Sequence, residues 1–258
     1  MPPQRDGGAC DACLRRTRLL ELLAPHIEYE RHRRHLGRLL ALSDEELLAA
    51  VAGQRRGGVA AQLARFSPAQ ARVVAAGRGL TLVCRHAPDY PARLLEAADA
   101  PAILHVLGDP GALPRGGAPA VAIVGARRAT PYGLEVARGL AHGLAAAGIV
   151  VVSGMALGVD AAAHAGALEV GGPTVAVLAG GADRPYPRSK AALHARLVAQ
   201  PGCCVVSELP PGFVPFKWGF PARNRVIAGL ADATVVVEAA VRSGSLITAE
   251  LAGDAGRM

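Results

Sequence analysis

Lysine is nearly absent from this chain of 258 residues: Lys190 and Lys217 are the only two, so the other members of its 28 basic residues are arginines. Set against 21 acidic residues, they leave a formal charge of +7, which permits an anionic partner such as nucleic acid without requiring one. Aromatic residues are scarce too, with four Phe, four Tyr and one Trp, so where they fall carries weight. The five cysteines are Cys10, Cys13, Cys84, Cys203 and Cys204. An odd count with two adjacent members excludes the disulfide framework of a small secreted domain. No long apolar run exists: the longest uncharged stretch, residues 143–159, is short for a membrane span and is broken by Gly148, Gly154 and Gly158. The opening MPPQRDGGACDAC lacks the apolar core of a signal peptide. These absences lead us to expect a soluble cytoplasmic protein with no membrane partner.

What is present reads as two units behind a short lead. With 51% hydrophobic and 19% charged residues, wholesale disorder is excluded. Residues 1–13 are small and polar and are expected to be flexible. Residues 14–78 carry leucines at helical spacing (Leu19, Leu20, Leu23, then Leu36, Leu39, Leu40). Ser43 followed by Glu46 is a capping-box start, and Ser67-Pro68 begins another helix with proline at its first position. From residue 79 onward the texture changes. Short β-branched apolar runs at 80–84, 103–107, 121–124, 149–152, 174–178, 203–206 and 234–237 read as strands. The last five alternate with helical patterns. Strands apolar on both faces and separated by helices predict an α/β fold, a Rossmann-like doubly wound and mostly parallel sheet over 79–258, with a small helical domain before it. A sheet of this type commonly has a sixth parallel strand; none follows the final helix, so the fold is expected to lack its last edge strand.

In such sheets the ligand sits beyond the carboxyl ends of the strands. The first of those loops is Gly125-Ala126-Arg127-Arg128, not G-x-G-x-x-G, and the second strand ends in Ser153-Gly154 with no acidic residue for a ribose. Dinucleotide chemistry is therefore not expected, and no cofactor is assigned. Gly125 lets backbone approach an anion, and Arg127 can fork onto a phosphate. Gly154-Met155 leads into a helix whose amides would suit a phosphate. The third loop groups Arg184, Arg188 and Lys190 around Tyr186. The fourth runs through Phe213, Phe216, Lys217, Trp218 and Phe220 to Arg223, Asn224 and Arg225. Cations interleaved with rings suit single-stranded nucleic acid, because the charges track the backbone while rings stack on bases. Phe213 and Phe216 are the rings expected to pack inward, while Lys217 and Phe220 or Trp218 are expected to bind. The fifth loop, Arg242-Ser243-Gly244-Ser245, is a further anion cradle at a helix start.

The segments VAIVGARRATPYG, SGMALGVDAAAH, GGADRPYP, SELPPG, FPARNRVIAGLAD and VVVEAAVRSGSLITAELA resemble, in consistent order over about residues 80–258, the DNA-processing protein A family (DprA, also called Smf). The resemblance implies an extended Rossmann domain that binds single-stranded DNA, protects incoming strands during natural transformation, helps load the recombinase RecA, forms a homodimer, and has no catalytic activity. It implies that Arg127 contacts phosphate, that Lys217 and Phe220 contact backbone and base, that Arg223 and Arg225 line or brace the pocket, and that Gly154, Met155, Ser243 and Gly244 form its floor; Gly125, Lys190 and Asn224 are counted with them as candidate DNA contacts. The family usually continues past the last helix, so the chain looks truncated beside it.

The alternative is a nucleotide-binding enzyme of Rossmann-like fold that cleaves nucleoside monophosphates, with Glu238 or Glu208 as acid or base. The segment P-G-G-x-G-T carried by such hydrolases is missing. Cys10-x-x-Cys13 is half of a zinc site, but no second C-x-x-C exists and His26, His32 and His35 lie at spacings that do not complete one, so no metal is expected. Arg31, Arg33, Arg34 and Arg38 read as a solvated helix face.

Overall fold

A computed structural model describes residues 8–30, 36–241 and 243–258. Arg31, His32, Arg33, Arg34, His35 and Arg242 lie outside them. Five helices come first: α1 (Asp11–Glu30), α2 (Leu36–Leu40), α3 (Asp44–Val51), α4 (Arg56–Ala64) and α5 (Pro68–Gly77). Their starts follow the local chemistry. The Ser43 amide donates to Glu46 Oε2 at 2.9 Å and the Glu46 amide to Ser43 Oγ at 3.3 Å, a complete capping box. Ser67 Oγ accepts from the Gln70 amide, with Pro68 at the first helical position. Of the stretch expected to be flexible, residues 1–7 lie outside the described residues, and α1 begins within the rest, where Ala9 and Cys13 are buried and Arg72 donates to the Ala9 carbonyl and to Asp11.

The remaining elements are β1 (Leu80–Cys84), α6 (Ala92–Leu95), β2 (Ile103–Gly108), β3 (Ala120–Gly125), α7 (Pro131–Ala146), β4 (Val150–Ser153), α8 (Val159–Glu169), β5 (Thr174–Val177), α9 (Ala191–Ala199), β6 (Cys203–Ser207), α10 (Gly219–Leu230), β7 (Ala233–Val237) and α11 (Gly244–Asp254). All seven strands join one sheet in the order β1-β2-β6-β5-β4-β3-β7. Strands β3 to β7 run parallel to one another, while β2 pairs antiparallel with β6 and β1 antiparallel with β2. This is the mostly parallel, doubly wound, Rossmann-like sheet that the alternation of strand and helix patterns implies.

Successive strand residues feed opposite faces. Ala122 and Val124 pack with Val226, Ile227 and Leu230 of α10, whereas Ile123 and Val151 pack with Ala137, Ala141 and Ala163 of α7 and α8. The helical region shares a core with the sheet region: Leu19, Leu23, Ile27 and Leu47 lie in one cluster with Leu209, Phe213, Trp218 and Ala222. Along β7 the Thr234 amide donates to the Met258 carbonyl at 2.7 Å, so the last residue runs back beside that strand. Among the described residues, no helix is long and apolar enough to cross a membrane.

Candidate nucleic-acid interface

Strand order reverses at β3, which sends β4, β5 and β6 to one side and β7 to the other. In open sheets of this kind ligands bind beyond these carboxyl ends. Three of the loops there meet. Arg127, exposed after β3, places its Cζ 5.7 Å from the centroid of the Phe220 ring, a cation–π distance. Tyr186, from the loop after β5, is about half exposed and tilts against the same ring at 5.5 Å between centroids. Lys217 is exposed one turn before Phe220, whose amide donates to the Lys217 carbonyl at 3.4 Å. Lys190 closes the short turn after Tyr186-Pro187 and is half-buried. The two lysines of the chain thus lie within four residues of the two partly open rings along the chain, Lys190 after Tyr186 and Lys217 before Phe220. Tyr186, noted in the sequence as the lone ring among Arg184, Arg188 and Lys190, was not assigned a binding role there.

Other expected contacts face inward. Trp218 is fully buried. Its Nε1 donates to the Ala24 carbonyl at 3.0 Å and its amide to Glu28 Oε2 at 2.9 Å, both on α1. It cannot stack on a base; it moors the loop. Phe213 is buried and Phe216 partly so, with centroids 5.9 Å apart, and both pack toward the N-terminal helices. Arg225 is buried against Glu208 at 2.7 Å and Asp99 at 3.2 Å, so its charge is spent inside the molecule and is not available to a phosphate. Arg223 is buried as well, donating from Nη1 to the carbonyls of Gly154 at 2.5 Å and Val177 at 2.9 Å. Asn224 donates from Nδ2 to the Gly244 carbonyl at 3.1 Å and so positions the turn at α11.

The loop after β4 is closed rather than open to an anion. Gly154 and Met155 are buried. The amides of Gly154 and Ala156 donate to Asp160 Oδ2 at 3.2 and 3.3 Å, and the Val159 amide donates to the Ala126 carbonyl at 3.2 Å. The Asp160 carboxylate thus takes the place expected for a phosphate. Burial pushes its pKa up, against the pull of Arg223 and the two amides. A Cβ on Gly154 would lie 1.7 Å from Arg223 Nη1, and one on Gly125 would lie 1.9 Å from the Val237 carbonyl. Both glycines therefore serve close packing. By contrast, Gly244 is exposed and a Cβ there would meet nothing within 4 Å. Ser243 is half-buried, with its Oγ 2.6 Å from Ser245 Oγ.

The two carboxylates of the enzymatic alternative are engaged. Glu238 accepts from the Thr130 amide and, at 2.8 Å, from the Thr130 hydroxyl, which pins the start of α7. Glu208 holds Arg225. A cavity of about 560 Å³ opens elsewhere, between α1 and α5, lined by Leu14, Thr17, Phe66, Val74 and His105; it contains none of the strand-end cations.

A family model for DNA recombination-mediator protein A matches residues 81–258. The chain belongs to this family. Among members of the DNA recombination-mediator protein A family, it is 42% identical over 223 residues to a putative DNA processing protein DprA of Mycobacterium tuberculosis, covering 79% of this chain and 57% of the relative. It is 38% identical over 198 residues to DNA processing protein DprA of Bacillus subtilis, covering 76% of this chain and 65% of the relative. The chain thus spans roughly three-fifths of the length of these curated relatives. The solved structure of DprA from Streptococcus pneumoniae superposes with a TM-score of 0.72 at 32% identity, covering 95% of this chain and 82% of that one. DNA processing protein A from Helicobacter pylori, solved for its single-stranded DNA binding mode, superposes with a TM-score of 0.61 at 33% identity over 70% of this chain and 80% of that one. The family match begins within β1, so α1 to α5 lie outside it.

Proposed function

We propose that this protein binds single-stranded DNA along the edge formed by Arg127, Tyr186, Lys190, Lys217 and Phe220, and acts as a recombination mediator. The observation that carries this reading is the convergence of Arg127 and Tyr186 on the Phe220 ring with Lys217 one turn away. A strand laid there finds cations for its phosphates and a ring for its bases, an arrangement indifferent to sequence. The H. pylori relative, described for its single-stranded DNA binding mode, supports the same ligand. In this role the protein shields incoming single strands and helps load RecA during natural transformation, as a cytoplasmic homodimer without catalytic activity of its own. Engagement of Glu208 and Glu238 by Arg225 and Thr130 leaves the nucleotide-cleaving alternative without a supporting observation.

The test is a titration of a labelled oligonucleotide, single against double stranded, across a range of salt. Three phosphate contacts, by Arg127, Lys190 and Lys217, predict a log–log salt slope of about −2. Lys217→Ala and Arg127→Ala should each reduce its magnitude by about 0.7. Equal affinity for the duplex, or binding indifferent to salt, would overturn the reading. The RecA role is tested separately, by nucleation of RecA filaments on a coated single strand.

A further inference from the structure

Four metal-ligating side chains that are far apart in sequence meet on the opposite side of the sheet's order, at the outer strand β1. Cys10 and Cys13 sit at the N-terminal end of α1, one just before it and one in its first turn. Cys84 is the last residue of β1 and His86 lies in the turn behind it, closed by a bond from the Ala87 amide to the Cys84 carbonyl at 2.8 Å. One ligand atom from each of the four lies within 4.8 Å of every other. His86 Nδ1 is 3.3 Å from Cys10 Sγ and 3.4 Å from Cys13 Sγ.

Those spacings fit a tetrahedral ion. With metal–sulfur bonds near 2.3 Å and metal–nitrogen bonds near 2.05 Å, the edges of a tetrahedron come to about 3.8 Å for sulfur to sulfur and about 3.5 Å for sulfur to nitrogen. The ligand spacing, C-x-x-C paired with C-x-H, joins two short chelating segments. The surroundings also fit a structural site. Cys13 and Cys84 are buried among Ala9, Leu14, Ala102 and Ile103, while His86 faces solvent and covers the site. We infer that Cys10, Cys13, Cys84 and His86 bind one zinc ion. Three thiolates and an imidazole are a soft donor set, suited to zinc rather than to magnesium or calcium. Four protein ligands leave no open position, so the ion ties structure together and does no catalysis. It joins a segment outside the family match, α1, to the first residues within it.

The experiment is metal analysis of the full chain, expressed with added zinc and purified under reducing conditions without chelator. About one zinc per chain is expected, released by a mercurial that titrates the thiols. Reconstitution with Co²⁺ should give the intense visible bands and thiolate charge-transfer absorption of a tetrahedral sulfur-rich site. His86→Asn, at an exposed position, should weaken the metal by at least about tenfold. Cys84→Ser should lower the stoichiometry, with circular dichroism reporting whether the fold survives. An octahedral cobalt spectrum, no bound metal after reconstitution of the reduced protein, or unchanged affinity in His86→Asn would overturn the assignment. So would a Cys10–Cys13 disulfide that persists under reductant.

Discussion

Arg225 Nη2 donates to Glu208 Oε1 at 2.7 Å, and both side chains are about nine-tenths buried. Asp99 Oδ2 lies 3.2 Å from the same guanidinium. Removing Arg225 leaves two carboxylates without their cation in a poorly solvated place. Arg225→Ala should therefore cost about 3–5 kcal/mol of stability. Lys217→Ala, exposed in the loop just before α10, should stay within about 0.5 kcal/mol. Urea unfolding of the two variants separates the buried arginine from the exposed lysine; similar losses in both would refute the assignment.

Trp218 gives a second test because it is the only tryptophan. With the indole fully buried and bonded to the Ala24 carbonyl, its emission should be blue-shifted, poorly quenched by acrylamide, and unchanged when an oligonucleotide is bound. Quenching on binding would put the ring against a base. Trp218→Phe removes the indole donor to the Ala24 carbonyl and shrinks a fully buried ring, at a cost of about 1–3 kcal/mol.

The glycines of the strand-end loops divide by what surrounds them. Gly154→Ala drives a Cβ into Arg223 and should cost about 3 kcal/mol or more. Gly244→Ala meets open space at a helix start and should leave the urea midpoint unchanged or slightly raised. If a strand passes close over this turn, Gly244→Ala should nonetheless weaken oligonucleotide binding, as read by anisotropy. Loss of stability in Gly244→Ala would show that the turn is more tightly packed than described.

Two buried histidines set a pH dependence. Burial holds His105 down at about 4, and burial together with nearby Arg223 holds His164 down at about 3. In the unfolded chain both titrate near 6.5. Between those values the unfolded chain takes up protons that the folded one refuses. Their contribution to stability is therefore complete above about pH 6.5 and is lost as pH falls, at up to about 1.4 kcal/mol per pH unit for each histidine. Asp160, pushed up by burial, works in the opposite sense: its contribution is present at low pH and is lost as pH rises through its folded value. The histidine share is thus read as a difference: His105→Gln should lose about half the slope between pH 6.5 and 5. An unchanged slope would mean that His105 already titrates normally in the folded state.

Much of the framework was legible because it is written locally. Runs of β-branched residues gave all seven strands to within a residue or two at each end, and Ser43 with Glu46 marked a helix start that closes as a capping box. The loops were legible as places but not as orientations. The sequence Phe213 to Arg225 states that rings and cations alternate; it does not state which of them turn inward. That choice is made by partners far along the chain: Ala24 and Glu28 for Trp218, Asp99 for Arg225, Gly154 for Arg223. Asp160 stands in the first turn of α8, yet only the folded loop shows its carboxylate collecting the Gly154 and Ala156 amides. The same limit hid the partners of Cys10 and Cys13. Cys84 and His86 are more than seventy residues away and carry no signature of their own.

Helix α1 is held at both ends by different parts of the molecule. Near its start, Arg72 grips Ala9 and Asp11. Near its finish, Ala24 and Glu28 hold Trp218, with Lys217 immediately before it and Phe220 two residues after. The stretch between these anchorages is a stiff rod roughly 20 Å long. One continuous helix therefore connects the cysteine corner to the residues that moor the Lys217–Phe220 loop, and loss of helical structure at that corner should be read as a changed emission of Trp218.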